Sequence, residues 1–403
     1  MTEQPTLTRA IGLPWLTLYG TGTIIGAGIY VLIGPVAARA GMYTPLAFVL
    51  AAVVAGFTAL AYAELSSRMP LSAGEAAYVV AATGRTWAGG LVGWLVASVG
   101  LISAAALANG MVGYAGLFLA LPHGLLTVGF ILLLGALAIW GISESVAVAV
   151  VTSLIEIGGL LLVVYLAGAS LRELSTRWHE LVPPLEGPAW SGIGLGAFLA
   201  FFAYLGVEDI VNVAEEVRRP KRNLPLAIGL AMGISTLLYV LVALTAILTL
   251  PPETLGGSSA PLATLVRVRA PGLVWFIGGI GLVATLNGAV IQMIMASRVI
   301  YGLAARGGAP RWFGAVHPVT RTPVRATLAV VGLQIVLALW LPIDTLAQAT
   351  TTIMLVVFIA VNLALIVLKT RGPTPADAFA CPAWVPWAGV LTSVGLLVAQ
   401  ATL

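Results

Sequence analysis

Three acids stand inside apolar runs that leave little room for charge. Glu156 lies in Thr152-Ser-Leu-Ile-Glu-Ile-Gly-Gly-Leu160, and Glu208 and Asp209 follow Gly206 in Phe201-Phe-Ala-Tyr-Leu-Gly-Val-Glu-Asp-Ile-Val-Asn-Val-Ala-Glu-Glu216. A carboxylate at membrane depth is costly and functional by default. It must be neutralised by a proton or met by a cation or donor, so the chemistry on offer is proton exchange or cation recognition. A fourth feature carries no charge. Tyr19-Gly-Thr-Gly-Thr-Ile-Ile-Gly-Ala-Gly-Ile-Tyr30 has glycines at 20, 22, 26 and 28, which lower the cost of leaving a helix. If the helix breaks there, the N–H groups of Ala27 and Gly28 point at an anion with a helix dipole behind them. The carbonyls of Thr23 and Ile24, ending the preceding half, can accept from an ammonium. One break can thus hold both ends of an α-amino acid. The competing reading is that these glycines only permit close helix packing.

The elements that must position these groups are membrane spans. The chain has 403 residues, 60% hydrophobic and only 8% charged, with a mean hydropathy of +1.05. Soluble domains carry about 25% charged residues, so a soluble enzyme, a nucleic-acid binder and a disordered protein are excluded. The single cysteine, Cys381, and three histidines in unrelated segments, His123, His179 and His317, give no metal-ligand set; no metal and no cofactor is expected. The first apolar stretch is too long and Gly-rich for a cleavable signal and follows a polar arm, Met1 to Arg9.

Eleven spans are expected, roughly at 12–36, 44–66, 88–119, 125–143, 145–168, 190–215, 224–249, 272–303, 324–341, 344–368 and 383–402. With the N-terminus inside, 14 of the 19 Lys and Arg fall on the inner side, as the positive-inside rule requires. Glu64, Glu75, Glu144, Asp344 and Lys369 fall near span ends, where snorkelling to water explains them. The basic run Arg218, Arg219, Lys221, Arg222 reads as a topology anchor, with lipid headgroup contact as the lesser role. Spans 1 and 6 both carry a glycine interruption, spans 3 and 8 are both long, and pairs 4–5 and 9–10 are both tightly linked. Five spans per unit is odd, so a second copy starts from the opposite side: an inverted repeat, with the interrupted helices marking a transporter's binding site. The expected division is 1–168 and 190–368 for the two repeats, 169–189 for an external loop, and 369–403 for a C-terminal span.

Three motifs make the chain resemble a known group. Thr23-Ile-Ile-Gly-Ala-Gly-Ile-Tyr30 resembles the first-helix motif of the amino acid–polyamine–organocation superfamily. Glu215-Glu-Val-Arg-Arg-Pro-Lys-Arg-Asn-Leu-Pro225 is similar to the signature after its sixth helix. Ala296-Ser-Arg-Val-Ile-Tyr-Gly-Leu-Ala-Ala-Arg-Gly-Gly-Ala-Pro310, with His317-Pro318 and Thr322-Pro323, resembles its eighth helix and following loop. The resemblance spans roughly residues 8 to 370 and points to the cationic amino acid transporter-like branch. It implies an all-α membrane protein of the five-plus-five inverted-repeat (LeuT-type) fold, with discontinuous helices 1 and 6 and an amino acid or amine substrate. By position it puts the substrate carboxylate on the backbone of Gly26, Ala27 and Gly28, the ammonium on carbonyls of Ile24, Phe202 and Leu205, and an aromatic lid at Phe202. Gln292, in the run with Thr285 and Asn287, falls near a substrate-facing position, and Arg298 reads as structural or gating. Glu156 falls where several proton-coupled relatives keep a Lys, which makes it a departure and a candidate coupling group. The superfamily commonly has twelve helices, one more than expected here.

The function expected is secondary transport of amino acids by alternating access in a bacterial-type cytoplasmic membrane, coupled to protons or run as substrate exchange. Two acids at the second break lean towards a cationic substrate, though Glu208 could serve gating and Asp209 could point away. A channel is the rival from another class; it needs a continuous polar stripe, whereas these polar residues cluster at mid-depth. An intramembrane enzyme lacks a His-Glu-x-x-His set. Partners beyond substrate and bilayer are not indicated, no nucleic acid is expected, and oligomeric state is open.

Overall fold

The computed structural model describes residues 9–70, 74–141, 146–305 and 307–402. Most of the polar arm, Glu144 and Arg306 lie outside the described residues. In chain order the helices are α1 (Leu13–Ala40), α2 (Thr44–Arg68), α3 (Gly74–Thr83), α4 (Thr86–Ala115), α5 (His123–Trp140), α6 (Val146–Ala167), α7 (Leu174–Arg177) and α8 (Gly187–Phe201). They continue as α9 (Pro220–Thr249), α10 (Pro252–Gly256), α11 (Pro261–Arg269), α12 (Val274–Ala305), α13 (Val324–Trp340), α14 (Ile343–Arg371) and α15 (Val385–Thr402). Among the described residues, nine helical stretches are long and apolar enough to cross a membrane. One of them, Leu13–Arg68, holds both α1 and α2, and α13 is a shorter apolar helix of 17 residues. Each expected span overlaps one of these helices. The fold is all-helical among the described residues, as a bilayer demands of a chain that must satisfy every backbone group within its own segment.

Local chemistry sets the ends. Proline opens α1, α2, α8 and α9, where its missing N–H is not needed. α4 and α12, of 30 and 32 residues, are each about 45 Å long, beyond the roughly 30 Å hydrocarbon thickness, and so must tilt or project. They lie along one another. A side chain at Gly100 of α4 would put its Cβ 2.8 Å from the Gln292 carbonyl of α12, so glycine sets that separation.

The helix ends on the side of the N-terminus are fastened by charge. Glu64, fully buried at the end of α2, accepts from Arg68 (2.6 and 2.9 Å), Thr374 Oγ1 (2.8 Å) and the Cys381 N–H (2.9 Å), and pairs with Lys369 at 2.7 Å. The expectation that Glu64 snorkels to water is therefore corrected: it is the hub that ties the α14–α15 link to α2. Lys221, from the basic run, pairs with Asp377 of that link at 2.6 Å. Burial pushes the Cys381 thiol up to about 12, with Glu64 beside it adding to the shift. Glu75 is likewise buried rather than wetted, and takes a hydrogen bond from Tyr62 at 2.9 Å. At the chain's start, the Ile11 N–H donates to the Glu216 carbonyl (3.0 Å) and the Arg218 N–H to the Ile11 carbonyl (2.8 Å). This backbone bridge joins the beginning of α1 to the end of the sixth span.

Candidate functional site

Two helix interruptions face each other in the core of the bundle. In α1 the backbone leaves the helix at one residue, Gly26, with φ 9° and ψ −151°. In the sixth span α8 ends at Phe201, a 3₁₀ turn covers Phe202–Tyr204, and Gly206 adopts φ +108° before winding resumes over Glu208–Glu216. The second half is 3₁₀ rather than α-helical. Its tighter winding suits a short segment tied at both ends.

Gly206 carries the junction. An added Cβ there would fall onto the Thr23 carbonyl and 3.1 Å from the Ile24 nitrogen, so the two backbones touch. The Thr23 hydroxyl donates across the gap to the Gly206 carbonyl at 3.1 Å. The hydroxyl of Tyr239, on α9, lies 2.7 Å from the Ile24 carbonyl and 2.8 Å from the Ala203 carbonyl. Its single proton can be given to either of two acceptors, one on each broken helix. The Ile24 carbonyl keeps a second lone pair. Above the junction, Gly28 sits against span six, where an added Cβ would lie 2.7 Å from Ala203 Cα.

A cavity of about 500 Å³, counting the space at its mouth, opens at this junction. Gly26, Ala27 and Gly28 line it, with Thr23 and Ile24 on the near side of the break and Phe202 and Leu205 on the facing one. A Cβ at Gly26 would meet nothing within 4 Å, so the glycine opens directly onto free space. Asp209 lines the cavity and is the only titratable side chain among the residues that do. It is 6% exposed, and its Oδ1 accepts from Asn212 Nδ2 at 3.2 Å. Gln292 also lines it, with the Ser103 hydroxyl donating to Gln292 Oε1 at 3.2 Å. Nine of the ten expected contact positions therefore surround one space. The tenth does not: Glu208 turns back, its Oε2 accepting the Gly206 N–H at 3.0 Å. That bond serves a donor at the start of the second half-helix, a capping use of the acid.

Glu156 is fully buried and does not line the cavity. Asn287 Nδ2 donates to its Oε1 at 3.1 Å, and Asn287 does line the cavity, so the acid stands one side chain removed. The α6 residue pressed against the first half of α1 is Ser153, which occupies the space a side chain at Gly22 would need. The Glu156 carbonyl holds the Tyr30 hydroxyl at 2.6 Å. Ser103 and Leu107 of α4 and Ile291 of α12 complete the wall. Sequence reasoning missed them, since both helices are predominantly apolar and their apolar residues show no favoured face. The hydroxyl of Ser103 on such a helix was the one available signal.

Comparison with known proteins gives the family. The profile of the family described as "Amino acid permease" matches residues 11–402. The branched-chain amino acid permease BcaP of Bacillus subtilis is 28% identical, over 94% of this chain and 85% of its own length. The vacuolar cationic amino acid transporter 4 of Arabidopsis thaliana is 30% identical over 89% of this chain, which spans 63% of that relative. An uncharacterised transporter of Mycobacterium tuberculosis is 33% identical over 80% of this chain and 72% of its own length. With the profile covering nearly the whole chain and two interrupted helices meeting at its centre, the protein belongs to the amino acid permease family of the amino acid–polyamine–organocation superfamily.

Proposed function

We propose that this protein is a proton-coupled secondary transporter of amino acids, working by alternating access in a bacterial-type cytoplasmic membrane with its N-terminus inside. The observation that carries the reading is the junction itself: Thr23, Gly26–Gly28, Phe202 and Leu205 from two broken helices enclose one cavity. The Ala27 and Gly28 N–H groups suit a carboxylate. Free lone pairs of the Ile24, Phe202 and Leu205 carbonyls suit an ammonium. Phe202, 5% exposed at the wall, is placed to close over it. Asp209 adds a negative charge, which favours a substrate with a second positive group over a neutral one. One relative is named for branched-chain and another for cationic amino acids. The two inverted halves rock about the junction, which gives the two states a gradient can bias.

Glu156 is proposed as the coupling group. Protonation would remove a buried charge and alter its bond to Asn287, which reaches the cavity. Uptake of each of the twenty amino acids into proteoliposomes, with and without a pH gradient, tests the whole reading. Glu156→Gln mimics the protonated acid and should retain exchange while losing accumulation driven by the gradient. Exchange without proton coupling is the second reading, favoured by the full burial of Glu156 away from the cavity. Gradient-driven accumulation by Glu156→Gln equal to the parent's would decide for it as far as this residue is concerned.

A further inference from the structure

The segment that follows α12 carries positive charge with no acid in its own stretch of sequence. Between Glu253 and Asp344 there is no Asp or Glu, while seven Arg fall there. Three of them, Arg311, Arg321 and Arg325, stand between Gly307 and the first turn of α13. All three are exposed, and among the described residues none of them makes an ion pair. The other basic run is different: Lys221 pairs with Asp377 at 2.6 Å, and Glu215 and Glu216 stand just before Arg218. Arg325 also sits in the first turn of α13, which holds no acid. The positive end of a helix dipole disfavours a cation there. A topology signal needs only a count of charges. It does not call for a cation set against a helix dipole with nothing in the chain to offset it.

The same loop has the apolar side chains of a segment lying at a membrane surface. Arg325 Cζ lies 5.6 Å from the centre of the Trp312 ring, which brings Arg325 close to the neighbour of Arg311. Trp312, Val316 and Val319 are exposed. On α4, Trp87 and Trp94 are exposed as well, and seven positions put them on one helix face. Exposed tryptophans collect at headgroup depth. Trp94 Nε1 donates to the Gly308 carbonyl at 3.0 Å, and Thr322 Oγ1 to the Ile139 carbonyl of α5 at 2.9 Å. The loop is therefore fixed to α4 and α5, and α4 carries Ser103 and Leu107 to the central cavity. It lies on the face of the N-terminus. α4 begins three residues after α3, which follows the end of α2, where Ser67 Oγ donates to the Lys221 carbonyl at 2.8 Å, beside the Ile11 bridge.

We infer that this loop is a binding site for an anionic phospholipid, whose phosphate is held by Arg311 and Arg325 beside Trp312 in the leaflet on the side of the N-terminus. Charge complementarity names the occupant: unpaired cations at headgroup depth meet the one abundant anion of a bilayer surface. Residue type agrees. The loop's cations are Arg and none is Lys, and a guanidinium offers a planar fork that matches phosphate oxygens two at a time. A bound headgroup also offsets the cation in the first turn of α13. Through the ties at Gly308 and Thr322 it sets the depth of α4 and α5 in the bilayer. The inference goes beyond the transport reading and does not depend on which amino acid is carried or how transport is driven.

The test is lipid retention by the detergent-purified protein, read by native mass spectrometry, together with its thermal transition. The protein is titrated with dioleoyl-phosphatidylglycerol, with dioleoyl-phosphatidylcholine and with inorganic phosphate. The parent should retain phosphatidylglycerol in preference to phosphatidylcholine and be stabilised by it, and inorganic phosphate should not reproduce the effect. Arg311→Gln and Arg325→Gln should each weaken phosphatidylglycerol binding about fivefold, and together about 25-fold. Both side chains are exposed, so the lipid-free thermal transition should stay at the parent's. Arg267→Gln with Arg269→Gln is the control. It removes as much charge from the far end of α12, a helix of 32 residues and about 48 Å, and should bind phosphatidylglycerol as the parent does. Equal loss in this control would reduce the effect to net charge and overturn the site. Parental binding by the Arg311→Gln, Arg325→Gln double variant, or equal retention of phosphatidylcholine, would overturn it too. Stabilisation by inorganic phosphate matching that by the lipid would replace the lipid with a free anion.

Discussion

The two helix breaks use glycine in opposite ways. At the first, the chain departs from the helix at Gly26 alone, with open space where a side chain would go. At the second, Gly206 takes φ +108° with the Thr23 backbone pressed against it. The first glycine clears room for a ligand, whereas the second clears room for the other break. Span 1 has four glycines within nine residues and the second break has one, yet the single glycine is the more constrained. Glycine density marks where a membrane helix can open. What holds the opening in place is a long-range backbone contact.

The largest effect that would break this contrast is at Gly206. Gly206→Ala forces a left-handed residue, about 1–3 kcal/mol, and drives a methyl group into the Thr23 carbonyl. We expect loss of uptake with a lowered thermal transition of the purified protein; an active variant of parental stability would show that the junction is loose. Next comes Gly28→Val, whose side chain meets the Ala203 backbone. Uptake should be abolished with membrane insertion intact. Gly26→Val sharpens the comparison: with nothing within 4 Å of an added Cβ, it should keep the parent's thermal stability and lose substrate binding. Binding by both variants as tight as the parent's would refute the proposed carboxylate site. A smaller effect is expected at the lid. Phe202→Ala should weaken substrate affinity more than Phe202→Trp, because an aromatic face excludes water and attracts an ammonium; equal affinities would make Phe202 ordinary packing. The smallest is Tyr239→Phe, which leaves the Ile24 and Ala203 carbonyls without their shared donor. A loss of about 1–3 kcal/mol is expected, read as a modest fall in thermal stability with uptake retained.

Which of this was legible in the sequence follows from what a bilayer enforces. A span needs about 20 apolar residues, so runs of hydrophobics between Arg68-Met69-Pro70, Arg218–Arg222 and Pro251-Pro252-Glu253 fell on helices with ends a few residues adrift. The expected 88–119 became Thr86–Ala115, and 383–402 became Val385–Thr402. The site backbone was legible because an unwound turn in hydrocarbon needs glycine and nearby polar groups, and both leave a trace in residue type. α3 was not legible: ten residues between two spans give too little periodicity. Glu64 was read as an acid at a span end, since its partners Thr374 and Cys381 lie more than 300 positions away. Glu208 and Asp209 looked equivalent side by side, and only the turn at Gly206 decides that one lines the cavity while the other faces back onto the backbone.

The bridge between Ile11 and the Glu216–Arg218 segment turns two half-helices into one lever. The first half of α1 and the second half of the sixth span begin at the breaks at Gly26 and Gly206 and are pinned together at their far ends by two backbone hydrogen bonds. Swinging one without the other would break both bonds, about 1–3 kcal/mol in all. That is comparable to the few kcal/mol that separate the conformers of a two-state protein. The two arms therefore travel as a pair, and a force applied to either is delivered to both hinges at once.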